Sequence, residues 1–228
     1  MSCAQGSKAT AVPGKSASLG DTRRSVAGHH QRICIHEAAH AVVLELSNMG
    51  RVTSVEVFDD GHDNFDAHDA LGRTSSDCPV PALRTEQWFR WDIAISLAGM
   101  AGEELVFGGR STTAGGSRGS DLASATDAAA LMVARFGLGK QLSVFPDDTD
   151  RPVSKVLETS PRLRADVDHI LRAEYARAKS LLKANFETLI ILAQALKDER
   201  RLEGDLLKCL LEGLCPTDGS TNRLEFTG

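Results

Sequence analysis

The sequence predicts a mainly α-helical fold, with a small β-sheet or hairpin after its first helix and a helical bundle at its C-terminal end. Three observations predict it. Apolar residues recur at helical spacing through most of the stretch from Arg32 to Leu211, β-branched residues concentrate in one short run at 52–58, and prolines and paired glycines separate the segments.

Taken in order, residues 1–28 are small and polar without a hydrophobic period and read as a flexible tail. Gly14-Lys15-Ser16 within it looks like the end of a phosphate loop, but Ala9 stands where that pattern needs its first glycine and no strand precedes it, which excludes nucleotide binding there. From Arg32 to Asn48, Ile33, Val42, Val43 and Leu46 with the intervening alanines predict a buried helix, and Gly50 supplies its stop. Val52 to Phe58 predicts a strand and Leu71 to Ser75 a second, joined by a long acidic loop.

Pro81 opens a helical segment from Ala82 to Phe107, with Trp88, Trp91, Ile95, Leu97, Leu105 and Val106, closed by Gly108-Gly109. A turn from Ser111 to Gly119 then meets Ser120-Asp121, whose capping chemistry predicts a helix from Leu122 to Phe136. Pro161 starts a helix with Val167, Ile170, Leu171, Tyr175, Ala178, Leu181 and Leu182 on one face; helices from Phe186 to Leu196 and Gly204 to Leu211 follow. Residues 29–212 thus form one predicted domain, and 213–228 a flexible C-terminal tail.

Composition narrows the function classes. The 228 residues, 42% hydrophobic and 25% charged, are enough for a real core. A net charge of -5 argues against a broad basic surface, so nucleic acid is not an expected partner. The sequence contains no apolar run of about eighteen residues to span a membrane. The N-terminal segment lacks the apolar core of a signal peptide, and a cytoplasmic location is expected. Cys3, Cys34, Cys78, Cys209 and Cys215 are odd in number and without a C-x-x-C pair, which suits reduced thiols; Cys34 reads as a small buried hydrophobe.

The chemistry centres on His36-Glu37-Ala38-Ala39-His40. Two imidazoles four residues apart on a helix sit roughly 40° apart and about 6 Å along the axis, so one face can offer both to one ion. Glu37 lies beside that face, placed to take a proton from water. This is the H-E-x-x-H pattern of zinc hydrolases, whose Zn2+ needs a third protein ligand and an open position.

Candidates for that ligand are Asp121, which follows a glycine-rich turn and otherwise reads as a helix cap; Glu103 and Glu104, at an apolar helix end; and the cluster His62, Asp63, Asp66, His68 and Asp69, which reads better as a solvated loop. One of the paired glutamates could orient a ligating histidine by accepting its second N–H. His29 and His30 read as tail residues and His169 as part of a polar helix face.

Arg32 through Val43, Leu71-Gly72-Arg73-Thr74, Ala98 through Gly108, and Gly115 through Leu122 continuing to Leu138 together resemble the peptidase domain of FtsH-type ATP-dependent zinc metalloproteases, as do the closing helices. The resemblance runs from about residue 30 to 212 and implies a zincin-like helical peptidase domain. By it, His36, His40 and Asp121 become zinc ligands, Glu37 the base that activates a zinc-held water, and Glu103 the acid behind a ligand. It implies endopeptidase action on unfolded or flexible polypeptides, extended substrate pairing with the strand near Gly72, a homo-oligomer with a hexamer as the expected size, and a separate ATPase as a conceivable partner.

Ala39 departs from the glycine usual in that family's motif, and the 59–70 loop has no counterpart. The family's membrane segments and ATPase module have no match in these residues, so the chain reads as either a free-standing homologue or a fragment cut from a longer protein, and the opening Met1 favours the former. The alternative is a non-catalytic assembly or regulatory module that keeps the metal site, against which the retained Glu37 argues. Hydrolysis of a non-peptide substrate rests on the five-residue pattern alone.

Overall fold

A computed structural model describes residues 19–58, 71–115, 119–140, 142 and 157–215. Among them no helix is long and apolar enough to cross a membrane. The Gly14-Lys15-Ser16 segment, the acidic loop with His62, Asp63, Asp66, His68 and Asp69, and residues 216–228 lie outside the described residues.

Helix α1 spans Leu19–Ser47 and so begins well before Arg32, inside the stretch expected to be a tail. Its second half is apolar on nearly every side, and Cys34, Ala38, Ala39, Ala41, Val42 and Val43 are all fully enclosed. A helix buried all round needs neighbours on all sides. Strands β1 (Val52–Val57) and β2 (Gly72–Ser76), helix α2 (Glu86–Phe107) and the later helix α5 (Phe186–Glu199) supply them.

The sheet has the order β2-β1-β3, with β1 antiparallel to both neighbours. Val55 faces Thr74 on one side and Leu202 on the other, and Val57 pairs with Gly72. Strand β3, Arg201–Glu203, is a finding the sequence pattern did not predict. Three residues with a single apolar side chain, Leu202, give no alternation to read; the strand exists because Arg200, at φ 65°, turns the chain sharply out of α5 and back onto β1.

Helix α2 starts at Glu86, after Thr85 accepts the Trp88 N–H as its cap, and ends at Gly108, whose left-handed φ of 72° lets its N–H reach the Glu104 carbonyl. Helix α3 (Asp121–Ala130) passes into one π turn, Leu131–Arg135. Helix α4 (Pro161–Ala184) begins with proline in its first turn and the Ser160 hydroxyl accepting from the Leu163 N–H. Helix α6, Gly204–Leu211, closes the bundle. Beyond it the Asn185 side chain exchanges two hydrogen bonds with the Cys215 backbone, at 2.7 and 3.1 Å, so the chain is held past the expected domain end at 212.

Two apolar clusters result, and α2 belongs to both. Trp91, Ala94, Ala98 and Ala101 face α1 and its neighbours. Phe89, Ile93 and Leu97 face Met132 and Val133 from the π turn and Val167 and Ile170 from α4.

Where α1 crosses α2, Ala39 meets Gly102. A Cβ on Gly102 would lie 2.6 Å from the Ala39 Cβ, closer than two such carbons can stand. Gly102→Ala is therefore expected to destabilise the fold by about 1–3 kcal/mol, the usual cost of overpacking. Adding Ala39→Gly should restore most of that loss, giving a strong coupling in a double-mutant cycle read by thermal unfolding.

Candidate metal centre

His36 and His40 project from successive turns of α1 toward the start of α3. Asp121 is the first residue of α3, and the capping role expected of Ser120-Asp121 is not played: Ser120 makes no side-chain cap bond. The Asp121 carboxylate turns to the histidines instead, its Oδ2 2.9 Å from His36 Nε2 and 3.3 Å from His40 Nε2. One ligand atom from each of the three residues fits within a mutual spread of 4.8 Å. Among the described residues these three form the one such convergence of histidine, cysteine or carboxylate groups.

The outer ring nitrogens decide what the inner ones can do. His40 Nδ1 lies 2.8 Å from the Ile95 carbonyl oxygen, which can only accept, so this nitrogen carries the proton. His36 Nδ1 lies 2.9 Å from Glu103 Oε1 and likewise donates. Both Nε2 atoms thereby face one oxygen of the Asp121 carboxylate, and each of these contacts needs a proton or a metal ion between its two atoms. Three electron-rich atoms facing one another require a positive charge between them, and the set of two imidazoles and one carboxylate fits zinc.

The electrostatics agree with that demand. Burial works against a charged His36 ring, but its hydrogen bonds to Asp121 and Glu103 prevail and lift it to about 9. Burial likewise opposes the Asp121 charge, yet its bonds to the two histidines hold the carboxyl well below its ordinary range.

Glu103 has no exposed surface, and burial alone would neutralise it. Four donors prevent this and hold it ionised, down to about 2. His36 Nδ1 and the Thr113 hydroxyl, at 2.5 Å, give to Oε1; Arg32 Nη1, at 2.8 Å, and the Ser111 N–H, at 2.9 Å, give to Oε2. Glu104 points elsewhere, to Lys179 and the Tyr175 hydroxyl, both at 2.6 Å, and takes no part in the cluster.

Glu37, the residue after His36, sits against β2. Its Oε2 accepts from the Thr74 hydroxyl at 2.9 Å, and its side chain packs on Gly72, where an added Cβ would lie 2.6 Å from the Glu37 Cγ. His29 and His169 are exposed, and His30 lies 3.7 Å from the Sγ of the fully buried Cys34; none joins the centre.

Peptidase family M41 matches residues 25–210 of this chain. The chain belongs to that family. Among curated relatives, ATP-dependent zinc metalloprotease FtsH 2 of Symbiobacterium thermophilum is 30% identical over 185 residues, covering 79% of this chain and 30% of the relative. ATP-dependent zinc metalloprotease FtsH of Chloroflexus aggregans is 30% identical over 214 residues, covering 86% and 31%. The human ATP-dependent zinc metalloprotease YME1L1 is 34% identical over 119 residues, covering 52% and 15%. This M41 chain thus spans about a third or less of the length of these relatives.

Several contributors to the M41 centre were not assigned a role from the sequence. The Ile95 carbonyl is a backbone atom and carries no residue signature. Thr74 and Arg32 acquire their roles only through packing between distant elements. Gly99 offered the one readable signal, a glycine in a helix interior, where it costs stability unless something needs the space. That something is the His36 ring, three atoms of which would lie 2.4–2.5 Å from a Cβ at this position.

Proposed function

We propose that this M41 chain is a zinc-dependent endopeptidase acting on unfolded or flexible polypeptides, with His36, His40 and Asp121 as ligands and Glu37 as general base. The observation that carries the reading is the convergence of both Nε2 atoms on Asp121 Oδ2, with both Nδ1 atoms committed to other acceptors. A zinc ion held there supplies Lewis acidity, which polarises a carbonyl and makes a water acidic near neutral pH.

Glu37 takes the proton of the attacking water as its oxygen bonds to the peptide carbonyl carbon, and returns that proton to the departing amine nitrogen as the C–N bond breaks. Thr74, bonded to Oε2, fixes the carboxylate for both transfers. Among the described residues strand β2 is at the sheet edge, pairing only with β1, and its proximity to Glu37 supports binding of substrate as an added strand. A homo-oligomer, expected as a hexamer, and delivery of unfolded polypeptide by an ATPase belong to the same proposal.

Metal analysis paired with casein hydrolysis tests it. One zinc per chain, cleavage abolished by a chelator, and recovery on adding zinc back are expected. A chain that cleaves casein equally well after the metal is stripped, or that takes up no zinc, overturns the assignment.

A further inference from the structure

We propose that Arg32 is a positioning residue for the metal centre, acting through Glu103 on His36 and through the 109–114 loop on Asp121; this rests on the zinc-site reading above. Arg32 stands one helical turn before His36 on α1, so the two side chains reach the same neighbour from successive turns. That neighbour is the Glu103 carboxylate, of which His36 holds one oxygen and Arg32 the other. The plane of the carboxylate, and with it the direction in which Oε1 meets the His36 ring, is set from both ends.

Arg32 Nη1 also donates to the Gly109 carbonyl at 2.8 Å, and its guanidinium lies over the Phe107 ring, 4.4 Å from the centroid. Gly109 opens the loop that leads to α3. Ser111 and Thr113 of that loop donate to Glu103, and the Ala114 carbonyl accepts the Leu122 N–H at 2.9 Å, directly beside Asp121. One buried carboxylate therefore ties the first ligand to the loop carrying the third, and Arg32 grips both the carboxylate and the loop.

Charge alone makes the opposite prediction. A guanidinium near the site repels a dication, so removing it would tighten zinc binding if Arg32 did nothing else. Positioning predicts weaker binding, because a loosened partner behind a ligating histidine costs about 10–100-fold in metal affinity. The sign of the change separates the two.

The experiment is zinc affinity of the full chain, measured by competition with a chromophoric chelator, together with the unfolding temperature of the metal-free protein. Arg32→Met should weaken zinc at least about tenfold, and Arg32→Lys should recover part of the loss. Thr113→Val removes a donor to the same carboxylate without changing charge and should also weaken zinc, which keeps the test decisive if Arg32→Met does not fold. Unchanged or tighter zinc binding in a folded Arg32→Met, or unchanged binding in Thr113→Val, overturns the proposal while leaving the zinc site intact. A wild type that takes up no zinc overturns both.

Discussion

Glu37→Gln is expected to retain its zinc and its unfolding temperature while peptide cleavage falls by about 10²–10⁴-fold, the range a positioned general base contributes. The contacts of Glu37 make this a clean substitution. A glutamine has nearly the same shape, so it can occupy the space over Gly72 and still accept the Thr74 hydroxyl through its amide oxygen. What it cannot do is take up the water proton. Measuring kcat beside metal content separates the outcomes: full activity in the variant removes Glu37 from the mechanism, and loss of zinc along with activity makes it a structural or ligating residue. A partner-binding function that survives the change unaltered would favour the non-catalytic alternative.

Gly99→Ala is the second large effect. The added methyl would coincide with the His36 imidazole, 2.4–2.5 Å from its Nε2, Cδ2 and Cε1 atoms. The ring cannot step aside, because Nδ1 is held by Glu103 and Nε2 faces Asp121. Either α1 and α2 move apart, at the cost of the alanine contacts between them, or His36 leaves the cluster and its Nε2 lone pair with it. Both routes predict loss of zinc of at least about a hundredfold and a lower unfolding temperature. Metal analysis and thermal unfolding read the two effects, and a variant with wild-type zinc affinity would show that the ring is not confined as described.

The histidine pair and Glu37 were legible because helical periodicity is a local property: the four-residue spacing alone puts both rings on one face. Asp121 was readable only as one of several acids, and family resemblance selected it, since nothing local says that the start of α3 lies against the middle of α1. The main helices and two strands followed from apolar spacing, whereas β3 depends on partners far away in the chain and has too little pattern of its own. The length of α1 was under-read because its first turns carry no apolar period. Arg32, Thr74 and the Ile95 carbonyl acquired roles only when the register of one element against another was known. Side-chain chemistry can be read along the chain, but the pairing of one side chain with another requires the fold.

His36 and Asp121 stand 85 positions apart and belong to helices with another helix between them. A shared ion at this place would act as a cross-link closing a long loop, of the kind that raises stability by restricting the unfolded chain. Such a molecule would lose its catalyst and its clasp in the same event. Metal starvation would then do more than silence it: the released loop and α3 would open more often, exposing backbone to proteolysis. Its lifetime in the cell would follow zinc supply, with inactive copies cleared instead of stored.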